Sequence, residues 1–287
     1  MFPGMNTSLL SNITNDLASI SDTPALDASV LVAHILNKPR TWVLAHPEVT
    51  FTTEQQQQLD DSLTRLARGE SFPYVLGHWE FFGLDFDVTP DVLIPRPETE
   101  LLVEKAIAWL QQSSSPKIIA DVGTGSGAIA VSVAVNVPSG QVLATDISSK
   151  ALDVARRNAH KFGVEERIEF IQCDLLPDKS SMPNPDASID LLCANLPYIP
   201  SGALRDLPIF GREPTLALDG GPDGLDLYRK LFSLAPKWLT SNGKMLIEIE
   251  ATQGTSILGM ANATFGGAGI HLHTDLAGRD RLLEIAL

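Results

Sequence analysis

Cysteine is scarce in this sequence: Cys173 and Cys193 are the only two among its 287 residues. Both lie in or beside short apolar runs, and their spacing does not match that of cysteine ligands around a metal ion. We therefore expect buried, reduced thiols rather than a disulfide framework or a cysteine-based metal site. Nothing in the sequence predicts a metal cofactor.

Positive charge is also scarce. Lysine and arginine number 21 against 35 aspartate and glutamate residues, which gives a net charge of −14 at pH 7. A surface this acidic repels phosphate backbones and releases few counterions when it meets a nucleic acid. The basic residues are scattered, and no cluster is denser than Arg156-Arg157. Free DNA or RNA is therefore not expected as a direct substrate.

Long hydrophobic runs are absent, since no stretch reaches the roughly 18 apolar residues that a membrane-spanning helix needs. The first ten residues, MFPGMNTSLL, lack the basic segment and apolar core of a secretory signal. We expect a cytoplasmic protein that does not enter a membrane. Hydrophobic residues still make up 44% of the composition, enough for the core of one large domain or two small ones.

The hydrophobic pattern divides the chain into three segments. Residues 1–72 show apolar residues at helical spacing and predict a small helical domain that recognises a partner. Residues 73–98 are rich in aromatics, with Gly83 near the centre of the stretch 74–88, which favours a β-hairpin followed by a linker. Residues 99–287 carry the features expected of a catalytic domain.

Short apolar runs alternate with helical patterns in the third segment, which is typical of a doubly wound, mostly parallel α/β sheet. Helices are predicted over Ala151–Phe162 and Leu225–Leu239. The predicted strands are Ile118–Val122, Val142–Thr145, Ile168–Gln172, Ile189–Ala194, Met245–Ile249 and Arg281–Ala286.

A glycine-rich turn, Asp121–Gly127, follows the first of these strands and precedes a helix. Glycines let a backbone turn sharply and approach a ligand closely. Asp146 closes the second strand, where a carboxylate can accept both ribose hydroxyls, and Asp174 closes the third, within reach of an adenine ring. The pattern predicts an adenosine-containing cofactor, and it leaves NAD open because the loop also satisfies G-x-G-x-x-G/A.

The fourth strand ends at Asn195-Leu196-Pro197-Tyr198. Ligands bind at the carboxyl ends of strands in open α/β sheets. A dehydrogenase needs a proton-transfer group near the hydride, and this strand end offers an amide instead. The Asn195 side-chain oxygen and the Leu196 carbonyl make two acceptors aimed at one NH2 group, which suits a planar nitrogen that receives a methyl group.

A rigid linker, Val92–Glu100, precedes the sheet. Two prolines lock its extended turn, and its last residues open a helix. The pattern leaves two interpretations open: a linker alone, or a linker that also forms one wall of the cleft.

Five segments together make this chain resemble the HemK/PrmC family, and the similarity extends from Tyr74 to Arg281. The family contains S-adenosylmethionine-dependent protein-(glutamine-N5) methyltransferases that act on peptide chain release factors. The segments are VLIPRPETE at 92–100, DVGTGSGAIA at 121–130, DISSKALDVA at 146–155, the Asn195–Tyr198 motif and EPTLALDGGPDGL at 213–225.

The resemblance implies a class I methyltransferase fold with a seven-stranded sheet. It also implies S-adenosyl-L-methionine as cofactor, and methylation of the glutamine in the Gly-Gly-Gln motif of class I release factors. Residues 1–72 would then be the release-factor-recognition domain. We expect a monomer.

The resemblance also implies roles for individual residues. Asn195 and the Leu196 carbonyl would each accept one N–H of the substrate amide, and Tyr198 would pack on its flat face; Pro197 completes the catalytic and substrate-binding motif. Residues expected to bind the cofactor are Gly123, Thr124, Gly125, Ser126, Gly127, Asp146, Asp174, Leu175 and Asn195.

One residue departs from the family pattern, whose signature is Asn-Pro-Pro-Tyr. Leu196 stands in place of the first proline and keeps the main-chain carbonyl that the chemistry requires. Because proline would stiffen the loop, we expect some loss of preorganisation here.

Two other functions stay open from the sequence. A nucleic-acid adenine N6-methyltransferase also acts on an NH2 group, but the acidic charge and the linker motif argue against it. A non-catalytic adaptor that binds an adenosine nucleotide is disfavoured because Asn195, Tyr198, Asp146 and Asp174 are all retained.

Overall fold

The computed structural model describes residues 9–113, 115, 117–182, 184 and 188–287. The chain divides between Gly77 and His78 into two units. The described part of the first unit is helical, and apolar side chains such as Ile13, Leu31 and Leu59 form its interior. Its helices are α1 (Leu9–Leu17), α2 (Pro24–Leu36), α3 (Arg40–Ala45), α4 (Thr53–Ala67) and α5 (Phe72–Leu76).

The hairpin predicted over residues 74–88 is shorter than expected, because Tyr74 lies in α5. Pro73 is tolerated in the first turn of this helix, where its missing N–H would have no partner. Gly77 ends the helix with a φ of 79°. The hairpin consists of β1 (His78–Phe81) and β2 (Leu84–Asp87), joined through Phe82 and Gly83.

The second unit contains the seven-stranded sheet that the resemblance implies, in the order β5-β4-β3-β6-β7-β9-β8. Strands β3 to β7 run parallel, and β9 is antiparallel to β7 and β8. The strands are β3 (Ile118–Val122), β4 (Gln141–Asp146), β5 (Ile168–Gln172), β6 (Ile189–Ala194), β7 (Leu239–Glu248), β8 (Gly269–Thr274) and β9 (Asp280–Ala286).

Apolar clusters bury the sheet on both faces. Leu192 and Ala194 of β6 belong to one cluster, and Leu191 and Cys193 belong to the other. A strand buried on both sides appears in the sequence as a continuous apolar run, which is how β6 was predicted. The accompanying helices are α6 (Glu100–Leu110), α7 (Ala128–Asn136), α8 (Ser149–Lys161), α9 (Ser201–Leu204), α10 (Asp226–Leu234) and α11 (Gly254–Thr264).

Two boundaries near the end of the chain differ from the sequence prediction. Helix α10 ends at Leu234 rather than at Leu239, because Pro236 cannot continue an α-helical hydrogen-bond pattern and a 3₁₀ turn follows. The next strand, β7, begins at Leu239 rather than at Met245. Strand β8 was not predicted from the pattern, because an edge strand needs no continuous apolar run.

The carboxyl ends of β3, β4 and β6 lie side by side at one edge of the sheet. Val122 pairs with Thr145 on one side and with Ala194 on the other. The loops that begin at Gly123 and Asn195 therefore start next to each other, and Asp146 ends the adjoining strand. Among the described residues, no helix is both long and apolar enough to cross a membrane.

Candidate active site

A cavity of about 370 Å³ lies at this edge of the sheet, within the second unit. Linker residues Val92, Leu93 and Thr99 line one side of it, so the linker does form a wall of the cleft. Of the residues expected to bind a cofactor, those that line the cavity are Gly123, Thr124, Gly125, Ser126, Asp146, Asp174, Leu175 and Asn195.

The glycine loop brings its backbone close to the catalytic motif. Gly123 has a φ of 75°, and a Cβ added there would lie 3.1 Å from Leu196 Cδ2. Its N–H donates to the Thr145 carbonyl at 2.9 Å, which fixes the loop to the end of β4. Gly127 is not among the residues that line the cavity; a Cβ there would lie 3.2 Å from Ala155 Cβ, so this glycine permits close packing of α7 on α8.

Asp121 holds the glycine loop through side-chain hydrogen bonds, a role that the sequence motif does not specify. Its Oδ2 accepts hydrogen bonds from Thr124 Oγ1 at 2.6 Å and from the Ala130 N–H at 3.0 Å. Burial raises the pKa of this carboxyl to about 7, against the lowering effect of both hydrogen bonds. The carboxyl therefore joins the loop to the first turns of α7.

Asp146 has two roles in the site. It lines the cavity, and its two carboxylate oxygens accept hydrogen bonds from the backbone N–H groups of Gly125 and Ser148, both at 2.9 Å. Burial raises its pKa, while those hydrogen bonds oppose the shift. Substitution of Asp146 would thus affect both the cavity wall and the loop.

Asp174 and Leu175 also line the cavity. Asp174 is exposed and forms an ion pair with Lys230 of α10. Leu175 adopts a φ of 67°, and its carbonyl accepts a hydrogen bond from Thr145 Oγ1 at 2.5 Å. The strained backbone at Leu175 is held in place by that contact.

The catalytic motif also lines a second, smaller cavity of about 80 Å³. Asn195, Leu196 and Pro197 line both cavities, whereas Tyr198 lines the smaller one. A side chain that enters the smaller cavity would therefore contact the catalytic motif. Burial raises the pKa of Tyr198, so its phenol stays protonated at neutral pH.

Asn195 is oriented by a hydrogen bond that its Nδ2 donates to Thr99 Oγ1 at 3.0 Å. The acceptor atom Oδ1 has no hydrogen-bond partner among the described residues and stays available at the cavity wall. Tyr228 Oη lies 2.8 Å from the Glu248 carbonyl oxygen and 3.3 Å from that of Leu196. The phenolic proton lies closer to the Glu248 carbonyl, and the Leu196 carbonyl oxygen, which has two lone pairs, can still accept a further hydrogen bond.

The linker is fixed to the loop after β6 by Glu213, which is 8% exposed. One carboxylate oxygen pairs with Arg96 Nη2 at 2.5 Å, and the other accepts the Ile94 N–H at 3.1 Å. These contacts bring together two segments of the family resemblance that are far apart in the sequence.

Backbone packing behind the catalytic motif depends on residues that the sequence reading did not single out. Gln253 Nε2 donates to the carbonyls of Tyr198 at 3.0 Å and Gly224 at 3.2 Å. A Cβ on Gly224 would lie 2.2 Å from the Tyr198 carbonyl oxygen. The run Asp219–Gly224 indicates a turn from its glycines and proline, but nothing in the sequence shows which backbone it contacts.

The arrangement contains two hydrogen-bond acceptors beside a ligand-sized cavity and no strong nucleophile. Within the described ranges, no group of three or more histidine, cysteine, aspartate or glutamate side chains could hold a metal ion. Cys193 is fully buried, and burial raises its pKa well above the usual value for a thiol. The geometry therefore suits orientation of an incoming NH2 group rather than attack by a protein side chain.

Comparisons with known proteins identify both units of the chain. Residues 8–77 match a family model described as the PrmC N-terminal domain, and residues 119–207 match a methyltransferase domain. A solved methyltransferase from Pyrococcus furiosus shares the fold, with a TM-score of 0.50 at 16% identity over 82% of this chain and 98% of that chain.

Two curated relatives are similar over nearly their whole length. The release factor glutamine methyltransferase of Moorella thermoacetica is 42% identical over 261 residues, which are 91% of this chain and 90% of the relative. The release factor glutamine methyltransferase of Coxiella burnetii is 36% identical over 95% of each chain. At this identity and coverage, the chain belongs to the release factor glutamine methyltransferase family.

Proposed function

We propose that this protein transfers a methyl group from S-adenosyl-L-methionine to the side-chain amide nitrogen of a glutamine in class I peptide chain release factors. The family resemblance implies that this glutamine belongs to a Gly-Gly-Gln motif. The observation that carries the proposal is that Asn195 and Leu196, at the end of β6, line both cavities, with Asn195 Nδ2 held by Thr99 so that Oδ1 is left to accept.

The larger cavity fits an adenosine-containing cofactor. Its volume of about 370 Å³ falls in the range of small-molecule sites. The backbone at Gly123 and Gly125 can approach a ligand closely, and the carboxylate of Asp146 lies where ribose hydroxyls are bound in related folds. When bound, S-adenosyl-L-methionine supplies an electrophilic methyl group on a positively charged sulfur.

The protein's own task is to prepare the nucleophile. An amide nitrogen is a poor nucleophile because its lone pair is delocalised into the carbonyl group. Asn195 Oδ1 and the Leu196 carbonyl would each accept one N–H of the glutamine, which turns the nitrogen lone pair toward the methyl donor. Both oxygens also stabilise the partial positive charge that develops on nitrogen.

No strong base is required in this mechanism. The methylated amide nitrogen can lose its proton to water or to a carbonyl oxygen. The Tyr198 ring, in the smaller cavity, would pack against the flat face of the glutamine amide. Its raised pKa keeps the phenol neutral and excludes it as the base at neutral pH.

Asp146→Ala should weaken S-adenosyl-L-methionine binding by about 1.5–3 kcal/mol, the range for hydrogen bonds to a charged group. Isothermal titration calorimetry measures this directly, and Asp146→Asn, which keeps one acceptor oxygen, tests whether loop disorder contributes. Asp153→Ala is the matched control, because Asp153 is exposed on α8 and pairs with Arg156. Unchanged affinity in Asp146→Ala would remove this residue from the cofactor site, and NAD binding would overturn the cofactor assignment.

Recognition of the release factor is assigned to the first unit. Deleting residues 1–77 should raise the KM for intact release factor by at least about tenfold, or about 1.4 kcal/mol of binding. The affinity for S-adenosyl-L-methionine should stay within about twofold, since the cofactor cavity lies wholly in the second unit. A truncated enzyme as efficient as the full chain on intact release factor would refute the recognition role.

The proposal is tested by incubating the full chain with radiolabelled S-adenosyl-L-methionine and release factor, DNA or RNA in parallel. We expect label in the release factor alone. Label in a nucleic acid alone would favour the adenine N6-methyltransferase, and cofactor binding without transfer to any substrate would favour an adaptor.

A further inference from the structure

Thr99 occupies the N-terminal cap position of helix α6 but does not cap it. A capping threonine has non-helical backbone angles and accepts a backbone N–H of the first helical turn. Thr99 has helical angles (φ −67°, ψ −19°), because a 3₁₀ turn over Pro97–Thr99 runs directly into α6. No such hydrogen bond forms at Thr99, whose side chain is 4% exposed. The hydroxyl instead forms hydrogen bonds with other side chains, one of which is the catalytic asparagine.

The hydroxyl of Thr99 connects Asn195 to a buried carboxylate. Thr99 Oγ1 donates to Glu248 Oε2 at 2.6 Å and accepts from Asn195 Nδ2 at 3.0 Å. Glu248 ends β7 and is 1% exposed, and its other oxygen, Oε1, has no hydrogen-bond partner among the described residues. The three side chains thus form one chain of hydrogen bonds that ends at the cavity wall.

The buried carboxylate of Glu248 determines which group donates in each of these hydrogen bonds. An ionised carboxylate can only accept hydrogen bonds, so Thr99 must donate its single proton to Glu248. Its remaining lone pairs then face Asn195, and only the Nδ2 end of that amide can donate to them. The acceptor Oδ1 is therefore turned toward the cavity, where the proposed mechanism needs it.

We propose that Thr99 and Glu248 are positioning residues, which fix the orientation of the Asn195 amide so that its oxygen rather than its nitrogen meets the substrate NH2 group. This inference rests on the proposed function. A flipped amide would place a donor opposite a donor and would leave the substrate nitrogen with the Leu196 carbonyl as its only protein acceptor.

Protonation of Glu248 would release this constraint. A neutral carboxylic acid can donate to Thr99, and Thr99 can then donate to Asn195 Oδ1, which reverses the whole chain. Burial raises the pKa of Glu248 to about 7, while the hydrogen bond from Thr99 lowers it. Other groups that act on this carboxyl are Arg281 of β9, Arg96 and Glu98 of the linker, Tyr198, and Tyr228 of α10.

The first test uses two substitutions at Thr99 in the full-length enzyme. Thr99→Val keeps the shape but removes the hydroxyl, and kcat on release factor should fall by about 10- to 100-fold, which corresponds to the loss of one hydrogen bond to a charged group. The Kd for S-adenosyl-L-methionine should stay within about twofold. Thr99→Ser, which restores the hydroxyl, should return kcat to within about threefold of the wild type.

The second test measures how kcat and the Asn195 side-chain signals change as Glu248 becomes protonated. The wild-type kcat should fall as the pH drops through about 7, because Glu248 becomes protonated. Glu248→Gln cannot ionise, so the fall in kcat as the pH drops through about 7 should be absent from this variant. Nitrogen-15 NMR gives a readout independent of turnover: the Asn195 side-chain NH2 signals should shift through the same pH range in the wild type and not in Glu248→Gln.

The outcomes separate this inference from the proposed function. If wild-type enzyme does not methylate release factor, the proposed function fails. If it does, and folded Thr99→Val keeps a kcat within twofold of wild type, the positioning role is wrong. If Thr99→Val does not fold, Glu248→Gln decides: a pH profile and Asn195 signals that match the wild type would refute the inference, and loss of both pH responses would support it.

Discussion

Asn195→Ala is expected to lower kcat on release factor by about 10²–10³-fold, the loss seen when one preorganised hydrogen-bonding group is removed from a charge-stabilising site. The substitution deletes an acceptor that matters most when the nucleophilic nitrogen gains positive charge. Substrate binding should suffer less, because the Leu196 carbonyl and the apolar wall of the smaller cavity remain. The effect should therefore appear in kcat more than in KM.

Cofactor affinity must be measured beside the rate, since Asn195 also lines the larger cavity. Asn262→Ala on α11 is the matched control, because its side chain is exposed and its one hydrogen bond to the described residues lies within its own helix, to the Leu258 carbonyl. This variant should keep wild-type kinetics. Near-normal turnover of Asn195→Ala on release factor would show that the two-acceptor mechanism is wrong.

Gly224→Ala is expected to destabilise the protein by roughly 2–4 kcal/mol and to reduce kcat in the fraction that folds. The new Cβ would lie 2.2 Å from the Tyr198 carbonyl oxygen, so the backbone of the catalytic motif must move. The φ of 78° adds a further cost for any residue other than glycine. Denaturant unfolding monitored by circular dichroism measures the change in stability.

Gly278→Ala separates the two causes. Gly278 has a φ of 74°, nearly that of Gly224, but apart from its two chain neighbours no described residue has a heavy atom within 4 Å of a Cβ added there. Its alanine variant should carry only the conformational cost, about 1 kcal/mol, and should keep full activity. If both variants lose the same stability and both stay active, close packing against Tyr198 is not what position 224 requires.

The central strands were predictable because a parallel strand that is buried on both faces forms a short, continuous apolar run. Strands β3, β5 and β6 have the bounds that the sequence indicates. The half-exposed edge strand β8 has no such run and was missed. Helix α5 was mistaken for part of a hairpin because aromatic content alone does not distinguish a short helix from a strand.

The site was predictable only where a local pattern marks the end of a strand. The glycine loop and Asn195 each follow a strand directly, and Asp146 is the last residue of one. Thr99 lies 96 residues from Asn195 and 149 residues from Glu248, so no sequence spacing connects them. In the sequence nothing distinguishes Glu248 from the other acidic residues. Only the fold shows that it is buried and that Thr99 links it to the catalytic asparagine.

Leu196 illustrates how the structure accommodates a departure from the family signature. Its side chain is 2% exposed and belongs to the apolar cluster on one face of the sheet. The leucine therefore adds core packing beside Gly123, while the carbonyl required by the mechanism is independent of the side chain. A proline at this position would stiffen the backbone but bury fewer apolar atoms.

Tandem mass spectrometry of a release factor treated with the wild-type enzyme and S-adenosyl-L-methionine tests the central claim most directly. We predict one added methyl group, located on the side-chain nitrogen of the glutamine in the Gly-Gly-Gln motif and absent when that glutamine is replaced by alanine. A methyl group on any other residue, or an unmodified release factor beside a methylated nucleic acid, would contradict the account.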